Sequence, residues 1–212
     1  MTGERGEPAH EGRVAIVVHA DRIRVLVVGA GSVGELRALR FADAGARVRV
    51  IAPRAEDALR HAAAAGRVDL ALREYQSSDI ADAELVIAAT DDRETNARVA
   101  ADARVAHRLC NVADLPDDGS FSAVAQRATG SLLIAVGTNG VPAAATRILA
   151  AICDRFDGRY ADAIGALRLL RQRLLARGGR EEWERASREL VGDSFTAQVE
   201  AGSTSRSAAG WP

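Results

Sequence analysis

The sequence predicts an α/β protein with a parallel sheet, followed by a small strand segment and a C-terminal helical domain. The aliphatic run at 25–28 leads into Gly29, Gly31 and Gly34, spaced G-x-G-x-x-G, and then into residues with helical spacing. Short apolar runs and helical segments then alternate as far as Asp114, as in a parallel sheet with right-handed crossovers. Beyond that point the pattern changes to a strand pair and amphipathic helices. The prediction is therefore a Rossmann-like sheet with two appended parts.

Length and composition narrow the classes of function. A chain of 212 residues suits one domain with an appendage, or two small domains. Its net charge of −1 gives no argument for a nucleic-acid or anionic-membrane partner. All 28 basic residues are arginine, which excludes Schiff-base chemistry by a lysine of this chain. Two cysteines, no signal peptide and no membrane-length apolar run predict a soluble, cytoplasmic protein.

The glycine-rich stretch is interpreted as the turn of a dinucleotide site. Gly29 permits a tight turn, Gly31 lets a pyrophosphate approach the backbone, and Gly34 lets the helix pack close to the strand. Ser32 and Val33 complete this turn. The ligand's negative charge would then lie at a helix N-terminus, which favours anions. The alternative is a Rossmann-like domain whose nucleotide site is vestigial or regulatory.

The predicted elements follow in order along the chain. The apolar run at 14–18 could form an extra strand after a disordered first dozen residues. Gly45 and Gly66 are expected to end the first two helices. The predicted strands of the parallel sheet cover 25–28, 47–52, 68–72, 84–90 and 109–112, and its helices cover 33–44, 55–65 and 94–105.

The remainder of the chain predicts a strand pair at 120–125 and 131–136, a helix at 143–156, and two helices within 160–190. A small strand pair has exposed edges, which dimerisation could cover. The predicted division is an N-terminal tail (1–21), a dinucleotide-binding Rossmann domain (22–115), a dimerisation segment (116–150), a helical domain (151–195) and a disordered tail (196–212).

Ligands of such sheets bind outside the carboxyl ends of the strands. The glycine turn, Pro53 and Arg54, Thr90 and Asp91, and residues 111–114 should therefore converge on one crevice. Asp114 is the candidate catalytic group, because a half-buried carboxylate there could act as a general base if burial raised its pKa. The alternative is a turn or helix-cap aspartate before a proline.

The residues leave the choice of nucleotide open. An NAD site usually has an acidic residue after the second strand, where this chain has Arg54. Arg54 could favour a 2′-phosphate and hence NADP, or it could pair with Glu56 or Asp57. Asp91 and its neighbour Asp92 read more readily as helix caps than as catalytic groups. The four histidines lack metal-ligand spacing, so no metal site is predicted.

Several short motifs resemble the N-terminal family of siroheme synthases. These are G-A-G-S-V at 29–33, A-G-A-R-V at 44–48 leading into V-I-A-P at 50–53, A-A-T-D-D at 88–92 with Asn96, C-N-V-A-D at 110–114, and Ser120-Phe121. The likeness runs in consistent order over about residues 22–149. Its A-A-T-D-D and C-N-V-x-D segments are more specific than the glycine turn.

The resemblance implies an NAD-dependent precorrin-2 dehydrogenase that forms sirohydrochlorin, in some members also a sirohydrochlorin ferrochelatase with Fe²⁺ as a substrate. The family's essential aspartate falls on Asp114, and its nucleotide contacts fall on Ser32, Val33, Pro53 and Arg54. The family's cofactor is NAD despite the missing acidic residue. Its members are homodimers joined through the middle segment.

The chain departs from the family's usual pattern in three places. It has Leu36-Arg37 after the glycine turn, T-N-G-V-P at 138–142, and S-A-V-A at 122–125. These departures weigh against chelatase activity more than against a dehydrogenase. The alternative to an enzyme is a non-catalytic Rossmann module that senses a nucleotide or a tetrapyrrole.

Overall fold

The computed structural model describes residues 12–212, which form two compact units. One unit extends to Ala123 and the other is Val124–Pro212. Most of the predicted N-terminal tail, residues 1–11, lies outside the described residues. The apolar run at 14–18 is not the extra strand that the sequence suggested, since residues 13–19 belong to no helix or strand. Val14 is 84% exposed there, so the run finds no sheet edge on which to pair.

The first unit contains a five-stranded parallel sheet in the order β3-β2-β1-β4-β5. This architecture confirms the predicted fold class. Its strands are β1 (Arg24–Val28), β2 (Arg47–Ala52), β3 (Asp69–Leu72), β4 (Leu85–Ala88) and β5 (Leu109–Val112). Its helices are α1 (Ser32–Asp43), α2 (Asp57–Ala64) and α3 (Arg93–Val105), with short 3-10 turns at Ala20–Arg22, Ser77–Ile80 and Pro116–Asp118.

Alternate residues of the central strands pack on opposite faces of the sheet. Val25 and Val27 of β1 lie in one apolar cluster with residues of α1 and α2. Leu26 and Val28 lie in a second cluster with residues of α3. Both faces are covered, which explains why β1 and β4 read as continuous aliphatic runs. The unit is therefore a three-layer sandwich with the sheet in the middle.

The end of α1 follows from one glycine. Gly45 has φ +92°, a left-handed conformation that favours glycine, and its N–H donates to the Ala42 carbonyl at 3.0 Å. The Ala46 N–H donates to the Phe41 carbonyl at 2.9 Å. These bonds satisfy the last carbonyls of α1 and lead directly into β2, as the sequence predicts.

The second unit begins with an antiparallel pair, β6 (Ala125–Thr129) and β7 (Leu132–Val136). The sequence placed the first of these strands at 120–125, which is wrong by about one strand length. Ser120 and Phe121 instead donate their N–H groups to the Cys110 carbonyl, at 2.7 and 3.2 Å, and so run beside β5. Their apolar pattern serves the first unit, and the hairpin starts only afterwards.

Helices make up the rest of the second unit. The prediction of a disordered tail at 196–212 is wrong, since much of this segment is helical. The final residues form two short helices because Ala208 is buried and Trp211 packs against an apolar cluster that contains Leu170 and Leu190. In the described part of the chain, no helix combines the length and apolarity needed to cross a membrane. The helices are α4 (Pro142–Arg155), α5 (Gly158–Ala176), α6 (Arg180–Leu190), α7 (Phe195–Glu200) and α8 (Ser203–Ala209).

Candidate active site

The candidate site lies at the carboxyl ends of β1, β4 and β5. The order of strands reverses at β1, since the chain turns to β2 on one side and reaches β4 on the other. Pairing continues past the strand ends, where Ala89 N–H donates to the Val28 carbonyl at 2.8 Å and Ala113 N–H to the Ala88 carbonyl at 2.9 Å. The loops after these strands therefore start side by side. Such a switch point is where open α/β sheets bind ligands.

Two glycines of the turn are required by close backbone approach. Gly29 has φ +105°, and a Cβ there would overlap the Ala89 carbonyl oxygen. A Cβ on Gly34 would overlap the Gly29 carbonyl oxygen. These contacts place α1 hard against the end of β1, as expected of the first and third glycines of the motif.

Gly31 has a different environment, since a Cβ there would meet nothing within 4 Å. It is the N-cap residue of α1, and no side chain caps that helix. The first N–H groups of a helix lack intrahelical partners, so here they are available to an anion. Ser32 and Val33 are exposed beside this open space. The turn therefore fits a pyrophosphate, with Gly31 leaving the room for it.

Pro53 and Arg54 follow β2 directly and are exposed. β2 is the neighbour of β1 in the sheet. Arg54 forms no salt bridge with Glu56 or Asp57, the surface pairing that the sequence left open. Its guanidinium is therefore available to a ligand at this end of the sheet.

The loop after β4 leads into α3. The Asp92 carboxylate caps this helix by accepting from Glu94 N–H at 3.2 Å and Thr95 N–H at 3.1 Å. The Thr95 hydroxyl also donates to it, and these bonds lower the pKa of Asp92. The expected capping role is therefore confirmed for Asp92. The capping role also expected for Asp91 is wrong, since the cap of α3 is Asp92 and Asp91 is exposed before it. Thr90 is partly buried at the sheet end.

Asp114 lies just beyond β5 and is exposed, whereas the sequence predicted a half-buried carboxylate. The difference arises because Val112 is the last buried residue of β5, and the chain then turns outward at the rim of the sheet. Asp114 Oδ1 accepts a hydrogen bond from Asn96 Nδ2 at 2.9 Å. The side chain of Asn96 thus links Asp114 to the loop at Thr90.

Asn96 was named with the A-A-T-D-D motif but was given no role, because an asparagine on a helix carries no signal of what its side chain contacts. The available clue was its position four residues after the predicted cap Asp92, which directs its side chain back toward the start of α3. Asn96 is 1% exposed and also bonds to Thr90.

Cys110 lies on β5, close to Asp114 in the sequence, but it is an unsuitable nucleophile. Burial raises the pKa of its thiol to about 11, so the thiol is protonated near neutral pH. Within residues 12–212, no group of three or more histidine, cysteine, aspartate or glutamate side chains could hold a metal ion.

The fold and the turn define a class of protein, the Rossmann-type dinucleotide-binding domains. Residues 16–125, just over half of the chain, match the profile of a family described as "Putative NAD(P)-binding". The chain belongs to this NAD(P)-binding family. The match confirms the expectation of a nicotinamide dinucleotide cofactor.

Relatives from curated proteins agree with the resemblance found in the motifs. The siroheme synthase of Pseudomonas fluorescens (strain SBW25) is 41% identical over 130 residues, covering 60% of this chain and 28% of the relative. The siroheme synthase of Pseudomonas entomophila (strain L48) is 34% identical over 189 residues, covering 82% of this chain and 40% of the relative. This chain therefore spans less than half the length of these relatives. The predicted resemblance to siroheme synthases is confirmed.

A solved structure extends the likeness to both units. A chain described as "SirC, precorrin-2 dehydrogenase" superposes with a TM-score of 0.72 and 22% sequence identity, over 90% of this chain and 96% of the other. At that identity the match establishes a shared fold. The hairpin and C-terminal helices are therefore part of a known architecture.

Proposed function

We propose that this chain is an NAD-dependent precorrin-2 dehydrogenase that forms sirohydrochlorin. The observation that carries the proposal is the position of Asp114, a carboxylate beside the switch point of an NAD(P)-binding sheet and bonded to Asn96. The siroheme synthase relatives and the shared fold support the choice of a tetrapyrrole substrate.

The reaction removes two hydrogens from the reduced macrocycle, one as a hydride and the other as a proton. When bound, NAD supplies the hydride acceptor. Asp114 accepts the proton: its Oδ1 is held by Asn96, and its Oδ2 accepts no hydrogen bond from another described residue.

The remaining proposed site residues hold the cofactor. Gly31, Ser32 and Val33 provide open space and free N–H groups for the pyrophosphate, while Gly29 and Gly34 shape the turn. Pro53 and Arg54 lie where the adenosine ribose would bind. Thr90 and Asp91 form the loop after β4, beside the proton-accepting group. NAD is the proposed cofactor on the strength of the family resemblance, although the free Arg54 guanidinium would also suit a 2′-phosphate.

Two finer proposals accompany the dehydrogenase. Insertion of Fe²⁺ into sirohydrochlorin would use the same carboxylate, since pyrrole protons must leave as the metal enters. A homodimer would form through the hairpin of the second unit, because both edges of its two-stranded sheet are unpaired within the described chain.

The test is the formation of reduced nicotinamide, followed by its absorbance, when the protein is incubated with precorrin-2 and NAD. We expect turnover that depends on both compounds and is faster with NAD than with NADP. Binding of NAD or of the tetrapyrrole without turnover would support a sensing module instead. Repeating the incubation with Fe²⁺, with siroheme as the product assayed, tests chelation separately.

A further inference from the structure

Asn96 has a buried side-chain amide whose oxygen and nitrogen both form hydrogen bonds with residues of the candidate site. It projects from the second turn of α3 and is 1% exposed. Its Oδ1 accepts from the Thr90 N–H at 3.0 Å, and its Nδ2 donates to the Thr90 carbonyl at 3.1 Å and to Asp114 Oδ1 at 2.9 Å. A single side chain therefore bonds both the loop after β4 and the carboxylate after β5.

The backbone of Thr90 fixes which way the amide points. An N–H can only donate and a carbonyl can only accept, so the Asn96 oxygen must face the Thr90 N–H and its nitrogen the Thr90 carbonyl. The second hydrogen of Nδ2 is then directed at Asp114. The two bonds to the Thr90 backbone therefore fix which end of the Asn96 amide is the nitrogen, and so fix the donor that faces Asp114.

Asp114 itself has little else to hold it. It lies outside β5, it is exposed, and its Oδ1 has Asn96 as its hydrogen-bonding side chain within the described chain. A carboxylate on a turn at the rim of a sheet would otherwise sample several rotamers. Proton transfer needs the base within hydrogen-bonding reach of the proton, so a loss of orientation costs rate.

We propose that Asn96 is a positioning residue for the dehydrogenase reaction: it holds Asp114 in one orientation relative to the Thr90 loop and leaves Oδ2 free to take the proton. This inference rests on the proposed function. It assigns to Asn96 no contact with substrate or cofactor. Its effect on the reaction passes entirely through Asp114, so the two residues should behave as one unit.

The experiment compares steady-state kinetics of four forms of the full chain: wild type, Asn96→Ser, Asp114→Ala and the double variant. Asn96→Ser removes both Nδ2 bonds. We expect kcat to fall roughly 10²-fold with the KM for precorrin-2 unchanged within error, as for a misplaced catalytic group. The double variant should have the kcat of Asp114→Ala alone, because effects of residues that act as a unit do not add.

Tyr75→Phe is the control for loss of a hydrogen bond to α3 outside the candidate site. Tyr75 is 4% exposed, and its hydroxyl donates to Asp102 Oδ2 at 2.8 Å. The change should lower the melting temperature and leave kcat unchanged. If Asn96→Ser does not fold, Asn96→Ala replaces it, since alanine also removes the donor to Asp114, adds no charge beside it and is favoured within a helix.

The outcomes separate the two proposals. An active wild type with Asn96→Ser at full kcat, or with kcat reduced only as in Tyr75→Phe, overturns the positioning role alone. So does a double variant whose losses multiply. A wild type without turnover, or Asp114→Ala with wild-type kcat, overturns the proposed function and leaves Asn96 no carboxylate base to position.

Discussion

At the scale of the residue, the three glycines of the turn after β1 are glycine for different reasons. Gly29 and Gly34 have no room for a Cβ, because backbone carbonyl oxygens occupy that space. Gly31 has room and an ordinary φ of −70°. The fold therefore requires the first and third glycines, while only a ligand would require the second.

Gly31→Asp should separate stability from cofactor binding. Aspartate is a strong N-cap residue, so the free energy of unfolding should stay the same or rise by a few tenths of a kcal/mol. The added charge lies where the pyrophosphate would bind, and its repulsion of about 1 kcal/mol or more should weaken NAD binding by roughly tenfold or more. Thermal unfolding and NAD titration measure the two effects. Unchanged NAD affinity would show that the pyrophosphate does not bind at this turn.

Gly34→Ala, in contrast to Gly31→Asp, should lower the stability of the fold. The new methyl group overlaps the Gly29 carbonyl oxygen, so α1 must move away from β1. Overpacking of this kind costs about 1–3 kcal/mol of unfolding free energy. The melting temperature measures it, with Gly31→Asp as the comparison at the same turn. A melting temperature equal to that of the wild type would contradict the close packing of the turn.

The residues of the site were predictable from sequence to different degrees. Asp114 follows a predicted strand, so its place at the sheet end could be derived from the rule for parallel sheets. Its exposure could not, because that depends on where β5 stops being covered. Asn96 could not be assigned either, since its importance comes from three-dimensional contacts with Thr90 and Asp114.

At the scale of the element, the start of α3 supports the site, because Asn96 lies within its first two turns. Asp92 caps this helix through backbone and hydroxyl donors that lower its pKa. A carboxylate whose pKa is lower in the folded state stabilises the fold above its ordinary pKa range. That contribution is lost as the pH falls through the lowered value.

Asp92→Ala should therefore lower the melting temperature near neutral pH, and the difference from wild type should shrink in acid. Asp92→Asn is the control, because the amide oxygen can still cap α3 while the charge is lost. Near neutral pH, the melting temperature of Asp92→Asn should lie between those of Asp92→Ala and wild type. Thermal unfolding across a pH series measures all three. A difference between Asp92→Ala and wild type that does not change with pH would contradict the role of the ionised cap.

The elements of the parallel sheet were predictable because their cores are buried on both faces and glycines mark their ends. The position of β6, the first strand of the hairpin, was not predictable. Residues 120–125 carry an apolar pattern, but Ser120 and Phe121 bond along β5 and only Ala125 joins β6. The final helices were hidden by their small-residue composition, since their order depends on packing of Ala208 and Trp211.

At the scale of the whole molecule, the chain consists of two compact units and spans less than half the length of its siroheme synthase relatives. The sheet unit carries the proposed cofactor turn and base. The second unit carries a two-stranded sheet, and such a small sheet is marginal in water unless it packs against something further. Helix α4 packs on β6 and β7, while Leu133 of β7 remains 42% exposed.

The proposed homodimer predicts a solution mass of two chains. Leu133→Asp should shift the mass toward that of one chain, because it places a charge in the apolar surface that the partner would bury. Sedimentation equilibrium measures the mass. The control is Val105→Asp, at an exposed residue of α3 in the other unit, which should leave the dimer intact. A wild type with the mass of a single chain would contradict the dimer.

The most direct test of the central claim compares wild type with Asp114→Ala in the rate of precorrin-2-dependent NAD reduction at saturating NAD. Asp114→Ala leaves one Nδ2 hydrogen of the buried Asn96 without its partner, so the melting temperature should fall slightly, while the affinity for NAD should be unchanged. We predict turnover by the wild type and a loss of about 10²–10⁴-fold in kcat for Asp114→Ala, the usual contribution of a general base. Wild-type kcat in Asp114→Ala, or no turnover by the wild type, would contradict the account.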